Sequence, residues 1–232
     1  MIIGGFQKFS LIDYPGKICA IVFTQGCNFR CPYCHNPELI DPNVSQNSQN
    51  ITSEDDVFSF LEKRKGKLDA VEITGGEPTL QQGLLEFLKK IKDMGYLAKL
   101  DSNGSRPEVI EKIIRLKIVD YLAMDVKAPL EKYQEITCSN INPNKIKKSI
   151  ELVMNSGLDY EFRTTVIKSQ LSEEDIIEIG KLIKGANLYV LQKFIPSKTL
   201  NPKFLSKASY SDEEFEYLKA AVESYVVRCL VR

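Results

Sequence analysis

Cys27, Cys31 and Cys34 stand at the spacing C-x3-C-x2-C within Gly26-Cys27-Asn28-Phe29-Arg30-Cys31-Pro32-Tyr33-Cys34-His35-Asn36-Pro37. Three thiols within eight residues can close as thiolates around one metal centre. A structural zinc site is normally completed by a fourth Cys or His, its ligands arriving as two half-motifs split by a longer spacer. The second half is missing here, and His35, the only histidine, adjoins Cys34 too closely to take the fourth corner easily. A cubane iron–sulfur cluster bound by three cysteines keeps one iron without a protein ligand, and an open metal position is where substrate or cofactor chemistry takes place. Electron-transfer ferredoxins more usually supply four cysteines per cubane. The spacing therefore favours a catalytic cluster over zinc. Cys19, Cys138 and Cys229 are isolated; Cys19 within a strand and Cys229 near the terminal helix read as small buried hydrophobes.

A loop of this kind needs a rigid scaffold, and the rest of the chain is patterned to build one. Apolar runs of strand type at 19–24, 70–74, 97–101, 121–126, 160–166 and 188–194 alternate with helical periodicity at about 54–65, 80–94, 107–116, 145–156, 173–184 and 212–228. Ser172 with Asp175 and Ser211 with Glu214 place an acid three residues after a hydroxyl, as at a helix N-terminus. Gly66, Gly95, Gly157 and Gly185 follow helical patterns as stops. The alternation predicts an α/β fold of six βα units with parallel strands, a partial (β/α)6 TIM-type barrel. Residues 1–232 then form a single domain carrying the cluster loop at 25–38.

In such a fold, functional residues gather where strands run into the following helices. The second strand ends in Thr74-Gly75-Gly76-Glu77-Pro78, the third in Asp101-Ser102-Asn103-Gly104 and the fourth in Met124-Asp125-Val126-Lys127. Each has an ordinary reading: a strand-to-helix turn, caps and turn formers, a surface ion pair. Arg163 lies inside the sheet-like run Tyr160–Val166, where a buried guanidinium needs a carboxylate partner.

Composition narrows the function classes. Lys plus Arg and Asp plus Glu number 31 each, so no global field draws the chain to nucleic acid or an anionic membrane. The basic run Lys63 to Lys67 reads as a solvated helix C-terminus. No apolar stretch approaches the ~20 residues that span a bilayer, and the N-terminus lacks a signal peptide's three-part pattern. A cytoplasmic protein with reduced cysteines is expected. Two segments stand outside the repeat: the polar stretch 42–50, a surface loop that reads as an insertion in preference to a mobile flap over the site, and 133–143, which contains Cys138 and has no readable role.

The cysteine motif, with Tyr33 as its aromatic, closely resembles the signature of the radical S-adenosylmethionine (SAM) superfamily. That resemblance implies a [4Fe–4S] cluster held by Cys27, Cys31 and Cys34, SAM chelated through its methionine amino and carboxylate groups, and release of a 5′-deoxyadenosyl radical on one-electron reduction. Gly75, Gly76, Glu77 and Pro78 resemble the family's GGEP motif, in which Glu77 would help hold the methionine ammonium. The turn Asp101-Ser102-Asn103-Gly104 and the strand end at Asp125 and Lys127 resemble activases of glycyl-radical enzymes. By that likeness Asp101, Ser102 and Asp125 face the methionine end or a nearby cation, and Lys127 contacts SAM or its carboxylate. For Arg163 a carboxylate on SAM or on Glu77 would serve, the other reading being an arginine that points outward from an exposed strand face. The stretch from Gly4 to Lys17, leading into the cysteine motif, is similar to anaerobic ribonucleoside-triphosphate reductase activating proteins, and the likeness covers nearly the whole chain. It implies a glycyl-radical enzyme as partner and a flavodoxin- or ferredoxin-type electron donor. An incomplete barrel has an open side suited to a partner's loop, and Tyr14, Phe29 and the polar loop 42–50 lie near enough to it in sequence to be candidate contacts.

Three other readings remain open at this level. The partner could be another glycyl-radical enzyme, such as pyruvate formate-lyase. A radical SAM enzyme of the 7-carboxy-7-deazaguanine synthase type would act on a small molecule without a protein partner. A zinc or iron–sulfur binding module would need the three strand-end motifs to be accidents.

Overall fold

The computed structural model describes residues 1–43 and 52–232, so that most of the polar stretch 42–50 lies outside the described residues. The strands are β1 (Ile3–Ser10), β2 (Cys19–Thr24), β3 (Ala70–Gly75), β4 (Leu97–Ser102), β5 (Tyr121–Asp125), β6 (Asp159–Val166), β7 (Tyr189–Lys193) and β8 (Cys229–Val231). Their order in the sheet follows the sequence. The helices are α1 (Glu54–Lys63), α2 (Leu84–Asp93), α3 (Pro107–Leu116), the short α4 (Tyr133–Thr137), α5 (Pro143–Met154), α6 (Glu173–Leu182) and α7 (Asp212–Val222). The six expected βα units are present. None of the helices among the described residues is long and apolar enough to cross a membrane.

The chain forms two compact units. The first comprises Met1–Asn28, Glu38–Ser102 and Glu108–Leu122, and within it β2, β3 and β4 pair in parallel while β1 pairs antiparallel with β2. Its core is built from strand residues such as Val22, Val71 and Ile73 and from helix stripes, of which Leu84, Phe87, Leu88 and Ile91 on α2 recur at the i, i+3, i+4, i+7 period. Phe58 of α1 meets Phe87 at 4.7 Å between ring centroids. The second unit comprises Phe29–Pro37, Asn103–Pro107 and Ala123–Arg232, with β6, β7 and β8 parallel. Gly180 on α6 lets α7 approach closely, since a Cβ there would stand 3.2 Å from Val222 and from Tyr225.

Local punctuation follows the sequence pattern. Ser53, Ser172 and Ser211 each complete a capping box with the acid three residues on. Gly66, Gly95, Gly157 and Gly185 all take positive φ beyond helix ends, and the basic run begins at the last residue of α1.

Two strands and three helix ends differ from expectation. β1 carries two glycines and a lysine and β8 has three residues, so neither shows a strand's apolar run; Cys229 is buried in β8, close to Lys219 and Glu216 of the terminal helix. α7 stops at Val222 because the chain must turn back to lay β8 beside β7. Residues 78–80 form a 3-10 turn, and left-handed Gly83 (φ +84°) delays α2 to Leu84. α5 begins at Pro143, capped by Asn142, whose side chain accepts from the Asn144 N–H.

Candidate functional site

In the first unit the cluster loop leaves β2 through Gly26 and Cys27. Their N–H groups donate to Leu39 O at 2.7 Å and Ile40 O at 3.1 Å, clamping the loop's two ends. The GGEP turn is sewn to the same place: Gly76 N–H donates to Thr24 O (2.9 Å) and Glu77 N–H to Gly26 O (2.8 Å). Gly75 sits at φ +109°, a region that favours glycine. At Gly76 the constraint is space, since a Cβ would lie 2.2 Å from Gly26 O and 2.9 Å from Leu39 O. Glu77 is fully buried; its carboxylate accepts from Ser102 Oγ (2.8 Å), from Thr79 N–H (3.1 Å) and from the Thr79 hydroxyl, and Pro78 opens the 3-10 turn beside it. Asp101 is buried at the end of β4, where Thr74 Oγ1 donates to it at 3.3 Å.

One pleat repeat back along the same strands lies a charged cluster that sequence reading missed. Glu72 and Lys99 are directly opposed in the parallel register, both nearly inaccessible, with Lys99 Nζ 2.8 Å from Glu72, 3.1 Å from Asp101 and 2.7 Å from Asp13 O. Burial first, and the Asp101 charge second, push the Glu72 carboxyl up to about 9. A carboxyl whose folded pKa is raised favours the native state while protonated, and that contribution fades as pH climbs from 4.5 toward about 9. The unfolding free energy of the wild type is therefore expected to decline across this window, and that of Glu72→Gln to decline less, in urea titrations followed by circular dichroism. Parallel pH profiles for the two proteins would show that Glu72 titrates as an ordinary carboxylate.

In the second unit the loop continues through Phe29 to Pro37. Arg30 N–H donates to Thr137 O (2.9 Å) and Phe29 packs edge-on to Tyr133 at 6.2 Å, so the unreadable segment 133–143 supplies a support for the cluster loop. Cys34 N–H donates to Cys31 O (3.0 Å), closing a turn around Pro32 and Tyr33. Cys31 is buried, and burial raises its thiol pKa, opposed by the nearby Lys127 charge and by a hydrogen bond with Tyr33. Burial likewise raises Tyr33. For Lys127, burial alone would lower the pKa, but Asp125, Tyr33 and Cys31 outweigh it and the net shift is upward. Asp125 accepts from Lys127 Nζ (3.1 Å) and Arg163 Nε (2.9 Å), and Tyr133 OH donates to its carbonyl (3.3 Å). Asn103 Oδ1 accepts the Ser105 N–H at 3.0 Å, and Gly104 lies where a Cβ would meet Met124 Cε at 2.1 Å.

Arg163 is half-buried, with Asp125 and, at 3.9 Å, Glu161 among its carboxylate partners. Two expectations change. Tyr14 and Phe29, read as partner contacts, are buried: Tyr14 packs on Tyr121 at 5.6 Å and Phe29 on Tyr133. Asp125 and Lys127 form an ion pair, but one shared with Arg163 rather than an isolated surface pair.

The donors fit the expected groups by type. Glu77 and Asp101 are acceptors suited to an ammonium, and Lys127 and Arg163 are donors suited to a carboxylate. Among the described residues no three His, Cys, Asp or Glu side chains converge to hold a metal ion. Protonated thiols have no reason to converge; thiolates do so when a metal's charge compensates them.

The chain matches the Radical SAM superfamily over residues 21–183. It belongs to that superfamily. A glycyl-radical enzyme activating enzyme of Methanocaldococcus jannaschii is 35% identical over 236 residues, covering 100% of this chain and 95% of the relative. A pyruvate formate-lyase-activating enzyme of Listeria monocytogenes is 35% identical over 211 residues, covering 87% and 71% respectively. Relatives of this identity and coverage place the chain in the superfamily's glycyl-radical enzyme activating branch. Among solved structures, Streptococcus suis SuiB bound to its precursor peptide superposes with a TM-score of 0.69 at 17% identity, covering 91% of this chain and 48% of SuiB. At that identity the likeness concerns the fold, the α/β partial barrel of radical SAM enzymes.

Proposed function

We propose that this enzyme generates a glycyl radical on anaerobic ribonucleoside-triphosphate reductase, with residues 1–232 acting as one radical SAM domain in the cytoplasm. The observation that carries the reading is the full-length, 35% identity with a glycyl-radical enzyme activating enzyme. When bound and reduced, the cluster would supply the electron that cleaves SAM to the 5′-deoxyadenosyl radical. Cys27, Cys31 and Cys34 would be the thiolates that hold a [4Fe–4S] cluster. Tyr33 and Lys127 tune Cys31, one by hydrogen bond and the other by charge.

The methionine end of SAM is the natural occupant of the remaining polar groups. Half-buried Gly75 and Gly76 and buried Pro78 would form the turn that lines its place. Glu77, kept in place by Ser102 and Thr79, and Asp101 would take its ammonium. Lys127 and Arg163, held by Asp125, would take its carboxylate, and Asn103 fixes the turn that follows β4. Burial of Glu77 and Asp101 keeps water from competing at those two carboxylates. A flavodoxin or ferredoxin would deliver the electron.

The test is an anaerobic mixture of reduced, cluster-loaded protein, SAM and the reductase. A glycyl-radical EPR doublet on the reductase is expected, and its absence despite SAM cleavage would remove the reductase as substrate. Identity with the Listeria activase favours pyruvate formate-lyase as the second partner to try. Deuterium passing from a small molecule into 5′-deoxyadenosine with no protein partner would instead favour the small-molecule reading.

A further inference from the structure

Between β7 and α7 the chain runs from Phe194 to Ser211 without an Asp or Glu, while carrying Lys198, Lys203 and Lys207. All three lysines are exposed, in a protein whose overall formal charge is zero. The same strap leaves Ile195, Leu200 and Leu205 exposed to 66%, 37% and 47%. Three lysines with no acid among them make the strap's surface positive, which suits an anionic partner.

The strap is anchored rather than loose. Phe194 N–H donates to Ser209 Oγ (3.3 Å), Ser209 Oγ donates to Val166 O (3.3 Å), and Lys168 N–H donates to Ala208 O (3.2 Å). Its middle is fastened to the cysteine loop. Asn201 N–H donates to Pro32 O (2.9 Å), His35 Nδ1 lies 3.2 Å from Lys198 O, His35 stacks on Phe194 at 5.4 Å, and Tyr33 contacts Phe204 at 6.4 Å. Pro32 and Tyr33 are the two residues between Cys31 and Cys34.

We infer that the strap Phe194–Ser211 is the docking surface for an acidic one-electron carrier protein that reduces the cluster. The inference rests on the cluster reading above. A carrier seated on the strap is separated from the Cys31–Cys34 turn by the strap alone, which shortens the path for the electron that the carrier loses and the cluster gains. Lysines without intervening acids attract an anionic partner and raise its encounter rate. Three apolar side chains suit a small, transient redox interface of about 1,200 Å² or less rather than a permanent assembly.

The test compares cluster-loaded wild type with the triple variant Lys198→Glu, Lys203→Glu, Lys207→Glu, measuring 5′-deoxyadenosine formed from SAM. One reductant is a reduced acidic flavodoxin, the other dithionite. Calorimetry of flavodoxin binding to both metal-free proteins is expected to show weaker binding by the variant, and equal binding overturns the assignment. Charge reversal is expected to raise the KM for flavodoxin about tenfold or more, and added salt to raise it in the wild type, with the dithionite-driven rate unchanged. A flavodoxin KM equal in both proteins, or flavodoxin inactive where dithionite works, overturns the assignment. An equal loss with both reductants also overturns it, showing the strap to be a support for the loop. So does a variant with normal flavodoxin kinetics that fails only with the reductase, which would make the strap the reductase's seat. Wild type that cleaves no SAM under dithionite takes away the cluster reading itself, an outcome distinct from the other five.

Discussion

Anaerobically reconstituted Cys31→Ala is expected to lose the absorbance of an iron–sulfur cluster and to cleave SAM at background, a fall of about three orders of magnitude or more. Cys27→Ala and Cys34→Ala should behave alike, because removing one of three thiolates leaves two irons open and the cluster without a stable seat. The effect is chemical rather than structural. The Cys34 N–H to Cys31 O turn is made by backbone, and the loop's outer clamps at Leu39, Ile40 and Thr137 are backbone bonds as well. The melting temperature of the metal-free protein should therefore move little. Cys138→Ala is the matched control: Cys138 is exposed, and its iron content and activity should equal those of the wild type. Iron analysis with 5′-deoxyadenosine quantification reads both. Full iron content in Cys31→Ala would dismiss this thiol as a ligand.

The second large effect is expected at Gly76. An added methyl would sit 2.2 Å from Gly26 O, 2.7 Å from Gly26 C and 2.9 Å from Leu39 O, all backbone atoms that cannot rotate away. Either the GGEP turn or the cysteine loop must shift, breaking Glu77 N–H to Gly26 O and Gly26 N–H to Leu39 O. Gly76→Ala should thus destabilise the protein by about 3 kcal/mol, the upper range for overpacking, and abolish SAM cleavage. Gly66→Ala makes the contrast: its Cβ meets nothing within 4 Å, and only its φ of +74° is penalised, costing about 1–2 kcal/mol with activity intact. Denaturant midpoints of the two variants, read beside 5′-deoxyadenosine yields, check the pair. A Gly76→Ala protein as stable and active as the wild type would show that the close approach is dispensable.

Much of this was legible before any coordinates. The six βα units announce themselves because strand and helix periods are local properties, as are the serine caps and the glycine stops. β1 and β8 are not legible: an edge strand with Gly4, Gly5 and Lys8, and a strand of three residues, become strands only because β2 and β7 offer them hydrogen-bonding partners. The role of 133–143 was hidden for a similar reason. Tyr133 and Thr137 matter through bonds to Lys127, Asp125 and Arg30, and nothing in their own segment signals this.

The sequence by itself determined the chemistry on offer: three thiols at C-x3-C-x2-C, a Gly-Gly-Glu-Pro turn, and acids and a lysine at strand ends. Those are facts of residue type and spacing, which folding does not alter. Only the tertiary structure decided partners. It paired Arg163 with Asp125, set Lys99 between Glu72 and Asp101, buried Tyr14 and Phe29, and fastened an acid-free strap to the cysteine turn. Pairings of this kind depend on strand register and on which side chain fills which space, and both are settled when distant segments pack.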